Sequence, residues 1–436
     1  MQKGGCTIQI HVVRPGDTIW GIAQSYNVNP QTIIQTNQIE LPNELVVGQA
    51  IVIPIVGSFY WVQPGDTLFT IAQRFGMNYL TLAQINGLNP NQPLLPGLRL
   101  YIPPRAKTRA EVNIYIEPSG DTVSEQLLNS AREVGTYLTY LAPFSYEARR
   151  DGSLVPMPIQ GIPEVAQNSG ASLMLVVTNL ENGQFSGELG RDILQSSAVQ
   201  DVLLDNIIDE AKRIGTVSDI HFDFEFLPPD QREAYNNFLR KAADRLHEEG
   251  LLISSALAPK LSREQTGQWY EAHDYRAHGE IVDFVVLMTY EWGYSGGPPM
   301  AVSPISEVEK VLNYALTEIP PSKIMMGQNL YGYDWTLPYV EGGQYARAIS
   351  PQQAIALARE HNAEIQFDPI AQAPYFYYVD DEGKNHEVWF EDARSIQAKF
   401  NLLKRLNLRG ISYWKLSFAF PQNWLLIQDN FNIVKR

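Results

Sequence analysis

The residues with the most evident capacity for chemistry lie in one run, Asp219-Ile220-His221-Phe222-Asp223-Phe224-Glu225-Phe226, followed by Leu227-Pro228-Pro229. Ionisable and apolar residues alternate without a break. In an extended strand, residues two apart share a face, so Asp219, His221, Asp223 and Glu225 fall on one side and Ile220, Phe222, Phe224 and Phe226 pack on the other. A column of ionisable groups facing inward is costly to desolvate unless the groups are paired or used. Burial and a neighbouring carboxylate both raise the pKa of a carboxylic acid, which suits Glu225, the last of the column, to carry a proton near neutral pH and donate it. His221, deeper in the column, relays charge or pairs with Asp223. The same face also invites a metal reading, with His273, Asp274 and His278 as further ligands. No His-x-His or His-Glu-x-x-His pairing occurs, so neither a metal nor another cofactor is expected.

The elements that must position this column can be read around it. Strand-like runs occur at 112–116, 138–144, 173–178, 220–226, 252–258, 284–290, 324–330 and 411–416. Between them, segments such as 124–134, 201–214, 230–248 and 308–316 carry apolar residues at helical spacing. Eight strands alternating with helices predict an α/β fold, a (β/α)8 TIM barrel whose chemistry sits in loops at the C-terminal strand ends. The gap between the seventh and eighth strands, 334–409, is unusually long. With a helix-like stretch at 351–361 and a β-rich one at 376–390, it predicts a small α+β insertion, roughly 335–390, forming one wall of a groove.

Here the chain resembles glycoside hydrolase family 18, whose fourth strand carries Asp-Gly-x-Asp-x-Asp-x-Glu. Aligned on the final acid, Ser218 replaces the first Asp, Asp219 the Gly and His221 the second Asp, while Asp223 and Glu225 match. Met288-Thr289-Tyr290-Glu291-Trp292 resembles the sixth-strand Met-x-Tyr-Asp pattern, with Glu291 in place of Asp. The seventh-strand segment 328–335 and the eighth-strand run Gly410-Ile411-Ser412-Tyr413-Trp414 agree with the family too. The third strand does not: Val177-Thr178-Asn179-Leu180 stands where the family has Ser-x-Gly-Gly.

The resemblance implies hydrolysis of N-acetylglucosamine linkages by a substrate-assisted, retaining route, in which the sugar's own acetamido oxygen displaces the leaving group. It implies Glu225 as acid and then base, Asp223 orienting the acetamido N–H, and Tyr290 donating to the acetamido oxygen. Trp414 would floor the sugar site, and Glu291, Asn329, His221 and Tyr331 are candidate substrate contacts.

The N-terminal part carries a duplication. Arg14-Pro15-Gly16-Asp17-Thr18 recurs as Gln63-Pro64-Gly65-Asp66-Thr67, and the same offset of 49 relates Ile22-Ala23-Gln24 to Ile71-Ala72-Gln73, Asn37 to Asn86, Gly48 to Gly97 and Pro54 to Pro103. Each copy reads as strand (9–13; 60–62), Pro-Gly-Asp turn, two short helices and closing strand (50–53; 99–102). Asp17 and Asp66 sit where an acceptor can bond the backbone N–H groups that open a turn or helix. These units resemble the LysM module, which implies binding of N-acetylglucosamine-containing glycan such as peptidoglycan or chitin. The glycan contacts implied are Gly16, Asp17, Thr18 and Val46 in the first copy and Gly65, Asp66, Thr67 and Leu95 in the second. Turn formation is an equal explanation for the turn residues. The domains expected are thus two βααβ modules at 8–55 and 59–104 and a barrel at 110–436.

Composition sets the outer bounds. With 33 Lys+Arg against 48 Asp+Glu, a net charge of −15, no nucleic-acid partner is expected. Through Arg109 the chain has seven basic and four acidic residues, so the remainder carries −18, which suggests separate units with separate partners. The single cysteine, Cys6, permits no intramolecular disulfide. No charged-then-apolar leader precedes the first strand, and no apolar stretch is long enough to span a bilayer, so neither a signal peptide nor a membrane partner is expected.

Two LysM-like modules, the acid strand, Met288–Pro299 and Trp389–Ser395 together resemble the spore germination glycosidases of bacilli, the cortical fragment-lytic N-acetylglucosaminidases. That implies spore cortex peptidoglycan as substrate, cytoplasmic synthesis with deposition in the spore, and a monomer. Two other classes stay open at this point: a catalytically silent, lectin-like wall protein, and a general chitinase.

Overall fold

The structure is a computed structural model and describes residues 8–104, 106–418 and 420–436. Cys6 and the residues read for a leader lie outside the described residues.

Eight parallel strands close a barrel. In chain order they are Thr108–Ile116, Tyr140–Pro143, Ser172–Thr178, Val217–Asp223, Leu252–Leu257, Phe284–Leu287, Ile324–Asn329 and Gly410–Trp414. Each pairs with the next, the eighth pairs with the first, and the third and fourth complete the ring with Phe222 opposite Val177 and Asp223 opposite Thr178. The strands are buried on both faces, as parallel strands covered by helices must be; all seven residues of Ser172–Thr178 are buried. Inside the barrel Tyr115, Tyr140, Met174, Val176, Phe284, Val286 and Met325 form a packed cluster, so the lumen is a core rather than a pore. Outside, Ile220, Phe222 and Phe224 join the main apolar core with helices such as Ser197–Ile214 and Arg232–Glu248. Ser196 caps the first of these by accepting from the Val199 N–H.

Two strands that lead into the site end earlier than the sequence suggests. The fourth ends at Asp223 rather than 226 and the sixth at Leu287 rather than 290. Glu225 and Tyr290 therefore stand on the loops just beyond their strands. Phe226 does not pack outward against a helix as its alternation predicts: its φ is +54° and its side chain is partly exposed at the barrel mouth.

Between the seventh and eighth strands lies a five-stranded antiparallel sheet, ordered Arg347–Ile349, Gly332–Leu337, Asn385–Trp389, Ala373–Val379, Gln366–Asp368, with helix Pro351–Glu360 against it. Its own small core contains Ile349, Ala354, Ala358, Ile365, Phe376, Val388 and Phe390.

Each N-terminal module pairs two strands, Gln9–Val12 with Ala50–Ile53 and Ser58–Trp61 with Arg99–Ile102, over two short helices. Asp17 and Asp66 close the turns by accepting from the backbone N–H of Arg14 and Gln63, both at 2.8 Å. Thr18 and Thr67 then cap the following helices. Gly16 and Gly65 both take a φ of +85°, which excludes other residues without strain. The first module is not a separate bead, as the charge asymmetry suggests. Ile8, Ala50 and Val52 belong to the main barrel core, and the Gln422 side chain donates to the Ala50 carbonyl at 3.2 Å. Among the described residues, no helix is long and apolar enough to cross a membrane.

Candidate active site

The column on the fourth strand faces the lumen, and its members divide into an upper pair and a lower chain. Asp223, the last residue of the strand, and Glu225 are both almost wholly buried. Burial, and then the charge of Glu225, push the Asp223 carboxyl well above the usual range. Burial pushes Glu225 up to about 7, opposed by a hydrogen bond from the Trp269 indole N–H to Oε2 at 2.5 Å. Among the described residues, none donates a hydrogen bond to one carboxyl oxygen of Asp223, Oδ1. A buried acceptor left open costs roughly 1–3 kcal/mol unless a ligand supplies the donor.

Beneath them, the Ser254 hydroxyl donates to Asp219 Oδ2 at 2.6 Å and lies 2.7 Å from His221 Nδ1, while His221 Nε2 lies 3.0 Å from the Tyr115 hydroxyl. With the serine proton spent on Asp219, Nδ1 carries the imidazole proton and Nε2 accepts from Tyr115. Burial lowers the His221 pKa to about 3 and raises Asp219 to about 7. This corrects two expectations: His221 does not pair with Asp223, and it is fully buried behind Tyr115 rather than in contact with substrate. Ser254, on the neighbouring strand, accepts the partnership instead.

The backbone that carries the acid is held at three successive residues. Asn179 accepts from the Glu225 N–H and donates to the Glu225 carbonyl, each at 2.9 Å, and bonds the Ser186 carbonyl as well. His273 accepts from the Ala258 N–H on Nδ1, so its Nε2–H donates to the Phe224 carbonyl at 2.9 Å. Gln268 donates to the Phe226 carbonyl at 3.1 Å, and the Phe226 ring stacks on Trp269 at 6.2 Å with planes 14° apart. Sequence reasoning missed Asn179, Ser254 and Trp269. For Asn179 a signal existed, since an amide at the end of the third strand replaces the family's small residues.

The opposite wall is aromatic. Tyr290 packs against two buried clusters, Ala256, Ala258 and Met288, and Val302, Tyr331, Tyr333 and Trp335; Trp269 packs against the first and Trp414 against the second. Burial raises its pKa well above normal, and the nearby Tyr115, Asp223, Glu225 and Glu291 add to that. It therefore remains a hydroxyl donor at any working pH. Trp414 ends the eighth strand, edge-on to Tyr115 at 5.4 Å and to Phe144 at 4.8 Å. Glu291 has a φ of +68° and accepts from the hydroxyls of Tyr331 and Tyr333. Burial raises its pKa and those two hydroxyls oppose the rise.

Two further expectations are corrected by these partners. Asn329 is fully buried with its amide spent inside the protein: Oδ1 accepts from Ser303 at 2.5 Å and from Gln328 at 2.9 Å, and Nδ2 donates to the Tyr331 carbonyl at 2.7 Å. It braces the loop. Tyr331 is buried too, and its hydroxyl holds Glu291. Of the candidate ligands in the metal reading, His221 and His273 have both ring nitrogens bonded to protein groups.

An acid at the C-terminal mouth of a parallel barrel, beside a second carboxyl and an aromatic wall, is a recurrent arrangement, and comparison with known proteins places it. Residues 164–419 match the family described as Glycosyl hydrolases family 18. The chain belongs to that family. This family 18 chain also matches the LysM domain twice, at 11–54 and 60–103. It is 63% identical to the cortical fragment-lytic enzyme of Bacillus subtilis (strain 168), over 98% of this chain and 99% of that one. To the cortical fragment-lytic enzyme of Bacillus anthracis it is 52% identical, over 98% of this chain and 100% of the other. Among solved structures, the spore cortex-lytic enzyme SleL of Bacillus megaterium QM B1551 superposes with a TM-score of 0.91 at 52% identity, covering 99% and 100% of the two chains. The family 18 chain is thus a glycoside hydrolase with two N-terminal LysM domains.

Proposed function

We propose that this glycoside hydrolase cleaves N-acetylglucosamine linkages in spore cortex peptidoglycan fragments during germination, by substrate-assisted catalysis with retention. Glu225 gives its proton to the glycosidic oxygen as the bond to the anomeric carbon breaks. The acetamido carbonyl oxygen of the same sugar supplies the electron pair and closes a cyclic oxazolinium ion. The ionised Glu225 then takes a proton from water, whose oxygen attacks the anomeric carbon and reopens the ring. Asp223 Oδ1 accepts from the acetamido N–H and stabilises the positive ring, Tyr290 donates to the acetamido oxygen, and Trp414 supports the apolar face of the sugar.

The observation that carries this reading is the open acceptor on Asp223 in the same buried column as Glu225, whose pKa burial raises to about 7. The full-length likeness to cortical fragment-lytic enzymes supports the substrate and the spore as the place of action. Synthesis in the cytoplasm with deposition in the spore, and a monomeric state, belong to the same proposal.

The test is incubation of the purified protein with defined soluble cortex fragments, with products identified by mass spectrometry. Release of fragments ending in reducing N-acetylglucosamine is expected. Binding without any new reducing end would instead make the protein a lectin, and preference for chitin oligomers over muropeptides would make it a general chitinase.

A further inference from the structure

The two LysM domains repeat at a fixed offset of 49, so each surface position in one has a counterpart in the other. Along the edge that precedes the closing strand, the counterparts differ sharply. Val46 is 5% exposed and its equivalent Leu95 is 75% exposed. Gly48, Gln49 and Ala50 are buried, whereas Gly97, Leu98 and Arg99 are exposed. On the turn side there is no such difference: Trp20 is 65% exposed and its equivalent Phe69 is 61% exposed.

What covers the first module's edge is the α+β insertion of the barrel. The Val46 side chain is part of the insertion's own core, among Ile349, Ala354, Ala358 and Ile365. The Val47 carbonyl accepts from the Ile365 N–H at 2.9 Å, and the Gly48 carbonyl accepts from the Arg394 guanidinium at 3.0 Å. Contact at Gly48 is so close that a Cβ there would lie 1.8 Å from the Ile365 carbonyl oxygen; at Gly97 a Cβ would meet none of the described residues within 4 Å. Gln352 donates to the Asn37 carbonyl at 3.2 Å, and Arg359 lies between Glu40 and Glu44 at 3.9 and 3.8 Å. The second module, by contrast, leans on the first, with Arg99 donating to the Ser25 carbonyl at 2.8 Å and Trp61 edge-on to Tyr26 at 5.4 Å.

We infer that the two modules have divided their labour: the first is a fixed part of the catalytic body with its glycan edge closed, and the second alone grips the glycan strand, between its turn and the Leu95–Arg99 edge. This rests on the reading that the modules bind N-acetylglucosamine-containing glycan. A glycan chain held between two lips needs both of them open, and only the second module offers both. The tandem therefore provides no bivalency of its own. The gain in effective concentration comes from the second module and the barrel cleft, held at a set separation by the first.

The experiment is sedimentation with insoluble, N-acetylated cortex peptidoglycan, using full-length protein carrying Glu225→Gln so that the polymer stays intact. In that background, Phe69→Ala and Leu95→Ala should each raise the concentration for half-retention about tenfold, with unchanged melting temperature. Trp20→Ala, at the equivalent position of the first module, should shift it less than twofold. Val46→Asp should lower the melting temperature through the lost docking contact. Equal losses from Trp20→Ala and Phe69→Ala would overturn the division of labour, as would full retention by both second-module variants. If the Glu225→Gln parent itself fails to sediment, the glycan reading falls, and the division with it.

Discussion

Asn179 grips Glu225 by both backbone polar groups, accepting from its N–H and donating to its carbonyl at 2.9 Å each. The acid stands beyond the end of its strand, where no ladder bond from Val217–Asp223 fixes it. Asn179 substitutes for that ladder. Removing the amide lets the carboxyl wander by a fraction of an ångström to an ångström, and such a displacement can cost up to about a hundredfold in rate. Asn179→Ala should therefore lower kcat about 10- to 100-fold on soluble fragments while KM changes less than threefold. It should also move the alkaline limb of the pH profile, because the surroundings of the carboxyl change. A loss of thermal stability with kcat and the pH profile intact would reduce Asn179 to a structural role.

Glu225 itself links activity and stability in opposite senses. Its folded pKa, about 7, lies above the ordinary value of about 4.3 for an unfolded chain. Between these two values the folded state binds more protons, so stability falls as pH rises through that window and the deficit is complete above pH 7. Glu225→Gln removes the deficit and keeps an acceptor for the Trp269 N–H. The variant should lose activity by about a hundredfold or more, match the parent's stability near pH 4, and exceed it by on the order of 1–3 kcal/mol at pH 8. Parallel denaturant titrations at the two pH values, with reducing-end assays, check both halves. In the parent, kcat/KM should decline above pH 7 as the acid ionises.

The Asp219–Ser254–His221–Tyr115 chain replaces a carboxylate ladder with a hydroxyl and a neutral imidazole. Desolvation keeps His221 uncharged throughout the working range, so it cannot supply the acid limb of the activity profile. In ¹⁵N spectra His221 should stay neutral from pH 5 to 8, with the proton on Nδ1 at the upper end. Ser254→Ala leaves Asp219 Oδ2 and His221 Nδ1 facing each other unpaired, at a cost of roughly 1–3 kcal/mol. A protonated imidazole at pH 6, or a Ser254→Ala variant as stable as the parent, would contradict this arrangement.

The barrel is legible because strands buried on both faces read as continuous apolar runs, and a parallel strand must be followed by a helical crossover. The inward column on the fourth strand is legible for a related reason: strict alternation assigns Asp219, His221 and Asp223 to one face. Where that alternation outruns the strand, it misleads. Phe224 still packs outward, but the chain turns at Phe226, and nothing in a phenylalanine signals a positive φ. Asn329 and Tyr331 look like ligands because polar groups at strand ends often are, yet their bonds are spent on Ser303, Gln328 and Glu291. Val46 and Leu95 occupy equivalent places in two similar modules. Only the insertion, far along the chain, makes one of them core and leaves the other on the surface.

The docking of the first module bears on how the barrel behaves alone. Ile8, Ala50 and Val52 complete the main apolar core, Val46 completes that of the insertion, and Gln422, Gln352 and Arg394 bond the module's backbone. Cutting the chain before residue 106 uncovers these side chains and strands those donors. Each fully buried aliphatic side chain is worth about 1.5–3 kcal/mol, and water reclaims part of what the polar groups lose. The isolated barrel should therefore unfold at least about 5 °C below the full chain, on the order of 2–3 kcal/mol for a domain of this size. It should still hydrolyse small soluble fragments, since Glu225, Asp223, Tyr290 and their supports all come from the barrel. Calorimetry of both proteins checks the first expectation and fragment turnover the second. A barrel as stable as the whole chain would mean that the contacts with the first module only orient it.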